Sequence, residues 1–187
     1  NFFAALRDAI ATYAPHGAER VNTVLLTPGP YNETYFEHAY LARYLGFPLV
    51  EGQDLTVRDG CVWLKTLSGL RRVHAILRRM DDDFCDPLEL RADSALGVPG
   101  LMDVIRQGKV LLANSIGASV IETGALAGFL PGLCEHLLGE ELLMPGVATW
   151  WCGEAPVMED ALEKADHLIF KSAVPHPQGL RIEPVFG

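Results

Sequence analysis

The chain has 187 residues, 49% of them hydrophobic, and a formal net charge of −9. That length and apolar content suit one substantial domain, or one domain with part of a second, around a sizeable buried core. The acidic balance argues against a nucleic acid or an anionic membrane as main partner, because both need clustered Lys and Arg, and no apolar run is long enough to span a bilayer.

Phe3, Leu6 and Ile10 recur at helical spacing, so Phe2 to Tyr13 is expected to be a helix, ended at Pro15-His16-Gly17. The opening residues lack the basic-then-apolar order of a signal peptide. Together with the abrupt Pro184-Val185-Phe186-Gly187 ending, they read as cuts inside a longer protein. Val21 to Leu26 reads as a buried strand, Thr27 to Asn32 as a loop, and Glu33 to Tyr44 as a helix with Phe36, Tyr40 and Leu41 along one side. Phe47 to Val50 reads as a second strand ending at Glu51. This strand–helix–strand order implies a parallel pair with a crossover helix.

Asp59-Gly60 between short apolar runs predicts a hairpin over Asp54 to Lys65. Val73 to Leu77 is a further strand, feeding the charged stretch Arg78 to Pro87. Pro99 to Gln107 is a short helix and Val110 to Ala113 a strand. The loop Asn114 to Ser119 follows, then helices over about 120–129, 133–138 and 156–165, and a final strand from His167 to Lys171. The segment 145–156 is the best boundary, which divides the chain into 1–150 and 151–187. The fold class expected is α/β, three-layered, with a largely parallel sheet. Cys61, Cys85, Cys134 and Cys152 form no Cys-x-x-Cys pair, so buried free thiols and a reducing cytoplasm are expected. Trp150-Trp151 is expected to pack in the core.

Four features could carry chemistry. The Thr27–Asn32 loop lies between a strand and a helix, where backbone N–H groups suit a carboxylate or phosphate and Gly29 allows close approach. Thr27, Tyr31 and Asn32 add side-chain hydrogen bonds, although Asn32 reads equally well as a helix cap. The loop is not Gly-x-Gly-x-x-Gly, so Glu51 is only a weak ribose candidate. The run Arg78-Arg79-Met80-Asp81-Asp82-Asp83, with Asp86, could clamp an anion or hold a hard cation, or could be a solvated charge run. Alternation places only one of Arg78 and Arg79 toward a cleft, and Arg79 is the choice. Arg71 and Arg72 belong to the same basic cluster. The loop Asn114-Ser115-Ile116-Gly117 repeats the strand–loop–helix layout, and two such loops at one sheet edge make a crevice. Lys171, ending an apolar strand, would need a negative partner if buried, such as a nucleotide phosphate; a surface lysine is the common case. No histidine metal spacing and no serine elbow appears.

The strings Leu26 to His38, Arg78 to Phe84, Ala113 to Gly117, Leu130-Pro131, Phe170-Lys171 and Pro184 to Gly187 closely resemble the circularly permuted ATP-grasp type 2 family. The resemblance covers nearly the whole chain. It implies a relation in fold to glutathionylspermidine synthase and glutathione synthetase. It further implies ATP- and Mg²⁺-dependent carboxylate–amine ligation through an acyl phosphate, acting on a small carboxylate, amine or peptide substrate. Under it Lys171 corresponds to a lysine on ATP phosphates, and Arg79 and Asp81 to catalytic groups. Thr27, Gly29, Tyr31, Asn32, Asn114, Ser115 and Gly117 correspond to the substrate side. The two lobes, the adenine hinge and the late Mg²⁺ ligands of such a site lie beyond this sequence. The chain is therefore expected to be the substrate-side part, partnered by the remainder of the ATP-grasp domain and inactive alone. A non-catalytic binding module and an assembly domain remain the alternatives.

Overall fold

The computed structural model describes residues 2–15 and 21–173. The chain divides into two compact units, Asn1–Gly117 and Ala118–Gly187. The segment 145–156, read from the sequence as a boundary, lies inside the second.

The first unit is built on a four-stranded sheet. Strand β1 (Thr23–Leu26) is fully buried, as its apolar, β-branched sequence dictates. It pairs in parallel with β2 (Leu49–Val50) on one side and β6 (Ala75–Arg78) on the other, and β7 (Leu111–Ala113) lies beyond β6. Leu26 aligns with both Val50 and Arg78, and Leu77 with Ala113, so the carboxyl ends of the strands share one edge.

Alternation divides the side chains of this sheet between two layers. Ala75, Leu77, Leu111 and Ala113 pack with Leu6, Ile10 and Ala14 from helix α1 (Phe2–Tyr13) and the residues just after it. Val24, Leu26, Val50, Ile76 and Leu112 pack on the opposite face. That face is covered by an antiparallel meander of β3 (Leu55–Arg58), β4 (Cys61–Thr66) and β5 (Gly69–Val73), together with the short helix α3 (Leu101–Arg106). The fold is thus α/β with a parallel sheet, but the second covering layer is mainly β rather than helical. The predicted Asp59-Gly60 hairpin is present. Both residues have positive φ (52° and 65°), as a two-residue turn between twisted strands requires. Strand β5 was not foreseen; the apolar run from Val73 is broken at His74, with Val73 ending β5 and Ala75 opening β6.

Helix α2 (Tyr35–Leu45) buries His38, Ala42 and Leu45, at i, i+4 and i+7. Phe36 and Tyr40 are instead exposed. Tyr40 stacks on Tyr44, one turn along, and Tyr44 meets Phe3 of α1, with ring centroids 4.4 and 5.1 Å apart.

In the second unit a 3-10 turn (118–122) precedes α4 (Leu126–Leu138) and α5 (Ala155–Glu163). The two short helices predicted around Pro131 are one, running through the proline at the cost of one backbone hydrogen bond. No strand forms at 167–171: residues 165–167 make a 3-10 turn and the segment after it is irregular. A strand needs a ladder partner, and none pairs with it among the described residues. Trp150 and Trp151 are not core residues. They are 60% and 44% exposed, and Trp151 stands edge-on to Phe129. All four cysteines are free, but only Cys85 is buried; the others are half-buried. No described helix is long and apolar enough to cross a membrane.

Candidate functional site

In an open parallel sheet, ligands bind outside the carboxyl ends of strands where the strand order reverses. Here the chain runs from β1 outward to β2 and returns to β6 on the other side of β1. The reversal point is therefore the gap between the ends of β1 and β6, at Leu26 and Arg78. The pairing continues slightly beyond both strands. Thr27 N–H donates to the Val50 carbonyl at 2.9 Å, and Arg79 N–H donates to that of Leu26 at 2.9 Å. Three segments thereby meet this edge: 27–34 after β1, 79–86 after β6 and 114–117 after β7.

The first segment is organised around a histidine that sequence reasoning passed over. His38 is only 2% exposed. The Thr34 hydroxyl carries one proton, and it goes to Asn32 Oδ1 at 2.7 Å, because a carbonyl oxygen can only accept. Thr34 Oγ1 must then accept from Nε2–H of His38, 3.0 Å away. That leaves Nδ1 bare, and the Thr27 hydroxyl donates to it at 2.9 Å. The Gly29 N–H completes the chain, donating to Thr27 Oγ1 at 3.3 Å. The two bonds to the ring require the Nε2–H tautomer of a neutral imidazole. Burial, and then the nearby Arg79 charge, push the His38 pKa down, against a smaller opposite pull from Glu37. Asn32 Oδ1 also accepts the Thr34 N–H at 3.0 Å, so its carbonyl closes the turn before α2. Thr27 is buried, whereas Tyr31 is fully exposed.

The second and third segments are joined by Arg78. It stands on the same face as Ile76 and is 6% exposed. Its guanidinium donates to the carbonyls of Met80, Asn114 (3.1 Å) and Ser115 (3.5 Å). It also pairs with Asp82 at 2.5 Å. The other oxygen of Asp82 accepts the Gly117 N–H at 2.6 Å. Asn114 (φ 53°) and Gly117 (φ 84°) both adopt the left-handed conformation that this tight loop demands. With Arg78 committed to the loops, Arg79 is the exposed member of the pair, and Asp81, Asn114, Ser115 and Gly117 are exposed as well.

Asp86 does not join them. It is fully buried, and its carboxylate accepts the N–H groups of Leu88 (2.9 Å), Gly100 (3.1 Å) and Met102 (2.9 Å). It pins the start of α3 and is used up structurally. Arg72 is also occupied, donating to the Lys109 carbonyl at 2.7 Å, and Arg71 donates to Asn22 Oδ1 at 2.7 Å. Lys171 lies in the second unit as an exposed side chain on an irregular segment, and Pro184 to Gly187 lie outside the described residues. Among the described residues no three His, Cys, Asp or Glu side chains converge as a metal cage.

Residues 1–186 match the family model for circularly permuted ATP-grasp type 2 proteins. The chain belongs to that family. An uncharacterized protein of Mycobacterium tuberculosis is 45% identical over 173 residues, which is 92% of this chain and 20% of that protein. One of Synechocystis is 45% identical over 159 residues, covering 85% of this chain and 33% of the relative. One of Mycobacterium leprae is 40% identical over 167 residues, or 89% and 29%. The chain therefore spans between a fifth and a third of the length of these curated relatives. Membership of the ATP-grasp family gives it a ligase-like fold in general terms, in a family that generally uses ATP and Mg²⁺.

Two elements of the site escaped sequence reasoning. The signal for Arg78 was its phase: it follows Ile76 by two residues and so falls on a core face, where a charge must be paired. The signal for His38 was similar, since it shares the i, i+4, i+7 face of α2 with Ala42 and Leu45.

Proposed function

We propose that this chain is the substrate-side part of an ATP-dependent carboxylate–amine ligase that acts through an acyl phosphate. The observation that carries the reading is the joining of two loops by one buried arginine at the reversal point of the sheet. Arg78 and Asp82 hold the 79–82 and 114–117 segments, leaving Arg79 and Asp81 exposed after β6. The substrate carboxylate binds along this edge, with Arg79 balancing its charge and the side chains of Tyr31, Asn32, Asn114 and Ser115 offering hydrogen bonds, while Thr27, Gly29 and Gly117 shape the loops that carry them. Catalysis from this part of the protein is positioning and charge compensation.

The described residues do not by themselves fit ATP·Mg²⁺, since no metal cage converges among them and Lys171 is exposed. In this reading the nucleotide is held chiefly by sequence of the kind that makes the relatives three to five times longer, with Lys171 contributing to its phosphates. Bound there, ATP would supply a phosphoryl group to the substrate carboxylate with release of ADP, and the amine would displace inorganic phosphate from the carbonyl carbon with loss of one proton.

The test is calorimetric titration of ATP·Mg²⁺ into this chain and into a full-length family member, with product analysis of the latter. Binding and ADP formation in the full-length protein, weakened by substitution of its counterpart of Lys171 with Ala, support the ligase. No ATP binding to either points to a non-catalytic module that uses the same edge.

A further inference from the structure

A cavity of about 90 Å³ opens at the end of β2, next to the first loop, lined by Thr27, Pro28, Glu51, Gly52, Gln53, Ala95 and Leu96. Its one charged lining group is the half-buried Glu51 carboxylate. An ionised carboxylate offers about four acceptor positions. Described partners use two of them: the Gln53 amide, at 3.1 Å, and the Asp54 N–H, in a reciprocal cap of the 3-10 turn Gly52–Asp54. Among the described residues no Lys or Arg pairs with Glu51. The neighbouring Lys65 ammonium goes to the Gln53 carbonyl instead, at 2.8 Å. The approach to the carboxylate is kept clear by a glycine. Gly29 has φ 103°, and a Cβ there would stand 3.2 to 3.4 Å from the Glu51 carboxyl group. A neutral cavity wall would not require a carboxylate; a half-buried one with spare acceptors calls for a cation carrying its own donors.

We propose that this cavity is a subsite for a primary ammonium group, bound by Glu51 and presented by an amino acid, a peptide N-terminus or a polyamine. The volume admits an ammonium with its first carbon atoms. Glu51 follows β2 and Arg79 follows β6, on either side of β1. Two strand spacings separate their backbones, about 10 Å. Cationic and anionic ends of a ligand therefore have opposite charges to meet along one sheet edge. The subsite rests on the ligase reading only for its meaning as the amine-binding place, and ammonium binding itself is measured without ATP.

The experiment is thermal unfolding of the chain at constant ionic strength, with spermidine, glycinamide or N-acetylglycinamide at 20 mM (roughly twenty times a millimolar Kd). Spermidine or glycinamide is expected to raise Tm, and N-acetylglycinamide, which lacks the ammonium, is not. Glu51→Gln keeps an acceptor for the Asp54 N–H and the Gln53 amide but removes the charge; its ligand-free Tm should stay close to the parent value while the ammonium-induced shift disappears. Ala95→Lys, at an exposed lining position, should abolish the shift by placing an internal ammonium at Glu51. A response to both ammonium probes identifies a general primary-ammonium site, a response to glycinamide alone an α-ammonium site, and a response to spermidine alone a polyamine site. No shift with either probe, or an undiminished shift in both variants, overturns the proposal. Neither of those results bears on ATP binding by a full-length family member, so the subsite and the ligase reading fail separately.

Discussion

The guanidinium of Arg78 meets the carboxylate of Asp82 at 2.5 Å, and the second oxygen of that carboxylate accepts the Gly117 N–H at 2.6 Å. The pair converts two loops that follow neighbouring parallel strands into one unit. Arginine suits this place because its planar fork reaches three carbonyls and a carboxylate at once, which a lysine ammonium on a single stem does not.

Removing one partner of a largely buried pair leaves the other charge uncompensated. Arg78→Met is therefore expected to destabilise the chain by about 3–5 kcal/mol, read as a lower urea midpoint. Arg78→Lys should fall between the two, retaining charge but losing the fork. A midpoint unchanged in Arg78→Met would mean that the loops hold together without the brace.

Asp86 makes the opposite use of a carboxylate. Among the described residues it forms no ion pair, and three backbone N–H groups donate to its oxygens. Asp86→Ala strands those buried donors, at about 1–3 kcal/mol for each left unsatisfied. A large loss of stability is expected, with hydrogen exchange rising first at Gly100 and Met102. If Asp86→Ala unfolds like the parent, the residue is free for another role and its structural assignment is wrong.

Folding holds the His38 pKa below its ordinary 6.5, through burial and then the Arg79 charge, with Glu37 opposing. The native state therefore binds this proton less readily than the unfolded chain. The contribution of the network to stability is complete above about pH 6.5 and is lost as pH falls through the lower native value. His74 is shifted in the same direction by burial and Arg72, and its Nδ1 accepts the Asn22 N–H at 3.1 Å. Urea unfolding at pH 8 and pH 5 should show lower stability at pH 5. His38→Gln should flatten part of that dependence, and His74→Gln a further part. A pH dependence untouched by His38→Gln would show that the ring is not held neutral.

Much of the sheet was legible in the sequence because each parallel strand is short, apolar and bounded by turn residues, as Thr23 to Leu26 illustrates. The turn at Asp59-Gly60 was legible for its own reason, the need for positive φ. The meander's third strand was not, since Arg71 and Arg72 mask the alternation and Gly69 opens it. Tyr40 misled because an aromatic residue that stacks on another one turn along a helix, here Tyr44, mimics a core face, and Phe36 because it falls at the same spacing while lying exposed. The site loops could be placed by their position after strands. Which of their polar groups are spent inward depended on tertiary partners: Asp82 and Gly117 are far apart in sequence, and no local pattern announces their contact.

Cys85 gives a direct way to watch the segment that bears Asp81. Its thiol is buried, and burial is the main cause that pushes its pKa up to about 11, with the Arg78 charge pulling the other way. Its Sγ lies 3.4 Å from the Asp81 carbonyl. At pH 8 about one molecule in a thousand carries the thiolate, the form that reacts. Iodoacetamide at pH 8 should therefore label the half-buried Cys61, Cys134 and Cys152 well before Cys85, with the order read by peptide mass spectrometry. In Arg78→Met the 79–86 segment loses its brace, and Cys85 labelling should accelerate, because the added opening outweighs any rise in thiol pKa from losing the positive charge. Slower labelling in that variant would mean that Arg78 acts on Cys85 mainly through its charge, and that the loop stays shut without it.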